Sequence, residues 1–192
     1  MFNFQASCAL VALMVVSACG GGAVDPESAP TFDDFLNDFD QSSSAIRSDD
    51  FSSASSVSGA GGTYTGKSLL RVVNGSGEVF LLGDATLTAN IGAGTVSGTL
   101  DNFVDSEAEN LSGAFTVVGQ SIGNAQDSEF ESTVSGALTG ATTSVSFGPA
   151  PIFGDFYSDP TQHLFASGVI SNTTLNGTAG LTSTLEIQAD KD

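Results

Sequence analysis

Positive charge is nearly missing from this chain: four Lys plus Arg and one His stand against 22 Asp plus Glu, a formal net charge of −18. Phosphate binding needs clustered cations, so nucleic acid is excluded as a partner, and a basic membrane-surface helix goes with it. Trp is absent and Tyr occurs only twice, which removes the aromatic girdles of an integral outer-membrane barrel. Charged residues as a whole are also scarce, at 14%, while 40% are hydrophobic. That balance is too apolar for a disordered acidic chain and predicts a folded domain rich in Gly, Ser and Thr. At 192 residues the chain is long enough for one domain with one modest core.

The two cysteines, Cys8 and Cys19, both lie near the N-terminus. Residues 9–16, Ala-Leu-Val-Ala-Leu-Met-Val-Val, form an apolar run too short to span a bilayer but of signal-peptide length. The run ends in Val16-Ser17-Ala18-Cys19, which resembles the lipobox of bacterial lipoproteins. That likeness implies a signal peptide over 1–18 and a lipidated Cys19 as the mature N-terminus. Cys8 would leave with the signal and Cys19 would be blocked by lipid. No intramolecular disulfide, Cys-based metal site or Cys nucleophile is then expected. Acyl chains on one N-terminus anchor durably without a spanning helix. A place in the bacterial cell envelope, lipid-anchored to the outer membrane, follows as an expectation.

Residues 19–61 read as an acidic, Gly/Ser-rich tether interrupted by a short helix. Phe32, Phe35, Leu36 and Phe39 form an i, i+3, i+4, i+7 stripe over about 32–40, and Thr31 with Asp34 imitates a capping box. The stripe is expected to pack on the main domain. Residues 41–61 read as a second linker.

From Gly62 onward the apolar period becomes two. Ala85, Leu87, Ala89 and Ile91 alternate with Asp84, Thr86, Thr88 and Asn90, and similar alternation carries Phe130 to Leu138, Thr143 to Phe147 and Leu181 to Ile187. Gly92-Ala93-Gly94, Gly140 and Asn74-Gly75-Ser76-Gly77 mark turns. About eight such segments follow one another without intervening helices, so the region 62–192 is predicted to be an all-β antiparallel meander. An apolar-Ser-Gly-x-apolar pattern recurs at Val96–Leu100, Leu111–Phe115, Val134–Leu138 and Ala166–Ile170. Each Gly shares the parity of its apolar neighbours and so faces inward, where a missing side chain lets strands coil sharply and approach closely. A small eight-stranded up-and-down β-barrel results, and closure removes the sheet edges that would otherwise stand unprotected.

Motifs of chemistry fare less well. Gly61-Gly62-Thr63-Tyr64-Thr65-Gly66-Lys67-Ser68 fits the phosphate-loop pattern, and Val79-Phe80-Leu81-Leu82-Gly83-Asp84 supplies an apolar run ending in Asp. A phosphate loop needs a buried strand before it and a full helix after it. Here a Ser/Ala/Gly linker precedes it and a turn at Asn74 follows too soon, so no nucleotide is expected. His163, the sole histidine, has no nucleophile-elbow partner and is expected at a loop or strand start. Asp33-Asp34, Asp49-Asp50 and the row Asp105, Glu107, Glu109 lack the spacing of a calcium loop and read as solvated charge. Neither catalysis, a resident metal nor a cofactor is expected.

The strand region resembles the barrel domains of transferrin-binding protein B and related surface lipoproteins, the transferrin-binding-protein-like solute-binding family. The carriers are Gly62-Thr63-Tyr64-Thr65-Gly66, the stretch Gly83 to Asn90 continuing through Gly94 to Phe103 as a hairpin, and Gly154-Asp155-Phe156-Tyr157 leading to Gly168. Ser158 stands where the family has a second Gly. The resemblance implies a surface-exposed monomeric barrel hung from acylated Cys19, binding a protein or small solute, with iron or haem acquisition as the setting. The rival expectation is a structural or adhesion lipoprotein with no solute-binding role. By segment, eight acids and one Arg lie between Asp25 and Asp50, while fourteen acids and three cations lie on the strand region. The tether and helix thus read as a self-repelling stalk that holds the barrel off an anionic membrane.

Overall fold

The structure is a computed structural model that describes residues 32–48, 60–75, 77–122, 129–158 and 162–192. The signal peptide, Cys19, the tether to Thr31 and the segment 49–59 with Asp49-Asp50 lie outside the described residues.

Helix α1 (Phe32–Ser48) precedes eight strands: β1 (Gly62–Asn74), β2 (Gly77–Asn90), β3 (Thr95–Asp105), β4 (Ser112–Ile122), β5 (Glu129–Thr139), β6 (Ser144–Ser158), β7 (Gln162–Leu175) and β8 (Thr178–Lys191). Each strand pairs antiparallel with the next, and β1 pairs with β8 from Tyr64 opposite Lys191 to Val73 opposite Thr182. The sheet is therefore a closed up-and-down barrel, the architecture expected from alternation. The anticipated hairpin is β2–β3, joined at Ile91 to Gly94.

The period of two places one residue set in the bore. Leu70, Val72, Leu81, Leu87, Val96, Leu100, Ile152, Ile170, Leu185 and Ile187 are all essentially inaccessible there. Aromatic rings close both ends. Toward the end where the chain enters β1, Tyr64 and Phe130 each lie against Phe156, with ring centroids 5.7 and 5.4 Å apart. Toward the other end, Phe115 stacks on Phe147 at 4.4 Å and meets Phe103 edge-on at 5.4 Å. Such tilted and offset pairs add stability beyond their buried area. The bore is thus a side-chain core rather than a solute chamber.

The recurring Ser-Gly pattern explains how so narrow a barrel closes. A Cβ on Gly98 would lie 2.0 Å from the Thr86 carbonyl oxygen. At Gly136, where φ is +154°, it would lie 2.3 Å from the Ala114 carbonyl oxygen. The neighbouring backbone occupies the space that a side chain would need, and the flanking residues Val96, Leu100, Val134 and Leu138 remain buried. The strands coil inward at these points.

Two findings extend the sequence reading. Helix α1 runs to Ser48, eight residues past the expected end, because the apolar spacing continues: Ile46 stands seven residues after Phe39, as Phe39 does after Phe32. Ser42-Ser43-Ser44 has the composition of a linker, yet a favourable stripe carries helix through residues of middling propensity. Helix α1 also lies on the barrel. Phe39 is buried with Leu69 and Leu82, and Phe32, Leu36, Phe80 and Val104 pack around them. The stalk reading is accordingly corrected for the helix, whose Phe32, Leu36 and Phe39 hold it to the wall by apolar contact.

The Tyr64 hydroxyl donates to the Ala60 carbonyl oxygen at 2.8 Å, both groups being buried, which pins the entering chain across one end of the bore. Burial pushes the Tyr64 phenol up to about 12. The folded protein holds this proton more tightly than the unfolded chain does. Its contribution is complete below the ordinary value near 10 and is lost as pH rises from about 10 to 12.

Replacing Gly98 by Ala is expected to destabilise the barrel by about 3 kcal/mol in urea unfolding, because backbone rather than a movable side chain occupies the space. The exposed neighbour Thr99, changed to Ala, should stay within about 0.5 kcal/mol of wild type. Tyr64→Phe should cost about 1–2 kcal/mol at neutral pH through the orphaned Ala60 carbonyl. It should also flatten the loss of stability between about pH 10 and 12 in melts followed across alkaline pH. Equal alkaline profiles for the two proteins would remove Tyr64 as the titrating group.

Candidate functional site

With the bore filled, concave surface must be sought outside. The outer wall is mostly Thr and Ser, as at Thr86, Thr88, Ser97, Thr99 and Thr116, the inverse of a wall facing hydrocarbon. Around β1 and β2 that polarity breaks. Leu69 and Leu82 point outward, opposite each other in register, while Leu70 and Leu81 beside them point into the bore. These strands are buried on both faces, which is why Leu69-Leu70 and Phe80-Leu81-Leu82 lack alternation.

Helix α1 covers that apolar strip incompletely. Between the helix and the wall formed by β8, β1 and β2 runs a cleft of about 330 Å³ whose apolar lining includes Phe35, Phe39, Leu82 and Ala189. Its volume is at the small end for organic ligands. A smaller hollow of about 200 Å³ shares Phe35, Lys67 and Leu82 and continues toward Asp84 and Asn102. Phe35 remains 39% exposed at the junction, the largest accessible apolar side chain on the described part of the helix.

Polar groups enter the cleft from both walls. Gln188 of β8 is 6% exposed; its Nε2 donates to the Phe39 carbonyl oxygen at 3.0 Å, while its Oε1 has no hydrogen-bond partner. Asp38 borders the cleft from the helix and Asp190 from β8. Lys67 also lines it, but its Nζ donates to Asp84 at 2.5 Å, and Asp84 accepts a second bond from Asn102 at 3.1 Å. Burial opposes ionisation of Asp84, yet the bonds from Lys67 and Asn102 outweigh it and hold the carboxyl below its ordinary value. Asn102 adopts φ +52° at an irregularity in β2–β3 pairing, the distortion that swings its amide beside Asp84.

Beyond Asp190 lies the sole histidine. His163 sits at the start of β7, and its Nδ1 is 2.5 Å from Asp190 Oδ1. Nearby, Tyr157 and Phe165 form an apolar pair on the outer wall, both more than nine-tenths buried. The His163–Asp190 couple is an ion pair or a hydrogen bond according to the charge on the ring.

Other sequence candidates have different places. The phosphate-loop match runs along β1 in extended conformation, with the backbone of β8 pressed against Gly66 and Lys67 tied to Asp84. A cradle of loop amides leading into a helix is therefore not formed. Asp33 and Asp34 occupy the first turn of α1, where negative charge suits the helix dipole. Asp105 and Glu109 are structural rather than merely solvated. Asp105 accepts the amides of Glu107 and Glu109, each at 2.9 Å, and the Thr143 hydroxyl at 3.0 Å. Glu109 accepts from the Thr142 hydroxyl and from the amides of Thr142 and Ala141. Those bonds lower the Glu109 carboxyl from its ordinary value and join the β3–β4 loop to the β5–β6 loop. Among the described residues no three His, Cys, Asp or Glu side chains converge as metal ligands. Cys19 lies outside the described residues.

Sequence reasoning did not single out Gln188, Asp38 or Asp190. The doubled apolar positions at Leu69-Leu70 and Leu81-Leu82 were the available signal, since they announce a covered outer face and hence a helix seated near these residues.

A 17-residue helix is marginal alone in water, so α1 depends on this docking. Phe39→Ala is expected to remove about 3 kcal/mol of docking stability. In hydrogen exchange, the amides of α1 should lose protection while those of Leu70 and Leu185 in the bore keep theirs. Loss of protection throughout the barrel would show instead that helix and barrel unfold as one unit.

Comparison with protein-family models, with curated proteins and with solved structures finds no match to this chain.

Proposed function

We propose that this chain is an envelope-anchored lipoprotein of the outer membrane, exposed at the cell surface, that binds a protein or small solute outside its barrel. It acts as a monomer, without a resident cofactor and without catalysis. The anchor is the lipid on Cys19, read from Val16-Ser17-Ala18-Cys19. The transferrin-binding-protein-like strand motifs support a binding role and make iron or haem acquisition its setting.

The observation that carries the binding part is the cleft beside α1. It joins an apolar lining to a buried acceptor and two carboxylates, on a body whose bore is filled by apolar side chains among the described residues. A barrel filled with side chains also suits an inert structural or adhesion module, the second reading. Capture with the anchored full chain as bait discriminates between them: a retained solute or protein supports binding, and repeated failure to retain either supports the inert role.

Radioactive palmitate supplied to bacteria expressing the full chain is expected to label the wild type and to leave Cys19→Ser unlabelled. The label should sediment with the outer membrane, and protease added to intact cells should remove the barrel. An unlabelled wild type, or equal labelling of Cys19→Ser, would refute an anchor at this residue. Label confined to the inner membrane would refute the outer-membrane placement.

A further inference from the structure

We infer that the cleft between α1 and the β8–β1–β2 wall takes a small organic cation with an aromatic body, an arylalkylamine in chemical class. This deepens the binding reading above by naming its solute, and it rests on that reading.

The cleft presents an apolar slot, one buried acceptor without a donor at Gln188 and an exposed carboxylate at Asp38. Phe35, Phe39 and Leu82 supply the slot, and Phe35 offers an accessible ring to a flat body or a cation. Gln188 Oε1 is a buried acceptor without a donor. Its orientation follows from the bond that Nε2 makes to the Phe39 carbonyl, because a flipped amide would set two carbonyl oxygens against each other. A buried polar atom of this kind calls for a hydrogen-bond donor. A ligand that brings an N–H group to this oxygen meets that need.

Charge selects the sign of the donor. Asp38 and Asp190 border the cleft from opposite walls, Asp190 with its Oδ1 held by His163 Nδ1 at 2.5 Å, and the chain as a whole carries −18. The cationic group that also lines the cleft, Lys67, is neutralised by Asp84. An ammonium ion therefore meets carboxylates at the rim, whereas a carboxylate ligand meets repulsion from both sides. At about 330 Å³ the space suits one or two fused rings with a short amine tail rather than a large cofactor.

Tryptamine is the probe of choice because the protein contains no Trp, so indole emission reports the ligand alone. Titrated with the full-length chain, tryptamine should show a saturable blue shift that weakens in molar salt. Indolepropionate, with the same ring and the opposite charge, should show none. Gln188→Leu should weaken tryptamine binding about tenfold through loss of a hydrogen bond to a charged donor. Asp38→Asn and Asp190→Asn should each weaken it several-fold. Asp38 is exposed, so its variant tests the site without disturbing the core, even where Gln188→Leu melts below wild type. Absence of saturation overturns the proposal, as do equal binding of indolepropionate and unchanged affinity in Asp38→Asn. Tryptamine failing while the anchored chain still retains a solute or protein overturns this site and leaves the wider binding reading standing. Retention of neither overturns both.

Discussion

Close approach of neighbouring strands at inward glycines is the constraint on which the rest of this molecule depends. Eight strands make a ring only if each bends continuously, and the bend is sharpest where one backbone lies in the space a Cβ would occupy. Gly98 against the Thr86 carbonyl and Gly136 against that of Ala114 are such places. Closure gives every strand two partners and leaves no sheet edge for another chain to extend. It also narrows the bore until Leu, Ile, Val and Phe side chains fill it.

A filled bore moves function outward. Larger barrels accommodate ligands within, but here the rings of Tyr64, Phe130 and Phe156 near one end and Phe103, Phe115 and Phe147 near the other leave recognition to the outer wall and loops. The loops joining β3 to β4 and β5 to β6 are held together by Asp105 and Glu109, so they form a braced rim. The wall beside α1 differs. Its concavity comes from a separate element laid on the sheet, and its shape depends on one helix being seated.

Much of the fold was legible because one face of most strands meets water. The alternation of Ala85, Leu87 and Ala89 with Thr86 and Thr88 states directly which side is buried, and the parity of Gly98 between Val96 and Leu100 places it inside. Legibility fails where a strand is covered on both faces. Leu69 and Leu70 are equally apolar, yet one touches the helix and the other the bore, and local composition does not separate those roles. The end of α1 was hidden because Ser42-Ser43-Ser44 has the composition of a linker, while the backbone continues as helix to Ser48. The site was least visible of all. Asp38 is far in sequence from Gln188 and Asp190, which are neighbours on one face of β8, and the three gain their meaning only when α1 crosses β8.

The acidity of the chain acquires a different meaning once the helix is placed. Asp33, Asp34, Asp38 and Asp40 belong to an acidic segment, and docking brings that segment against a wall that carries Asp84 and Asp190. Repulsion between exposed carboxylates is screened over about 8 Å at physiological salt. Burying Phe39, Leu69 and Leu82 contributes roughly 1.5–3 kcal/mol for each side chain fully removed from water. Apolar contact therefore wins, and the charges are held close together as a consequence rather than a cause of docking. At the rim of the cleft Asp38 is exposed, while Lys67 is engaged by Asp84 and Asp190 by His163. The scarcity of positive charge thus leaves the helix–barrel junction unsuited to anions and open to a cation supplied from outside.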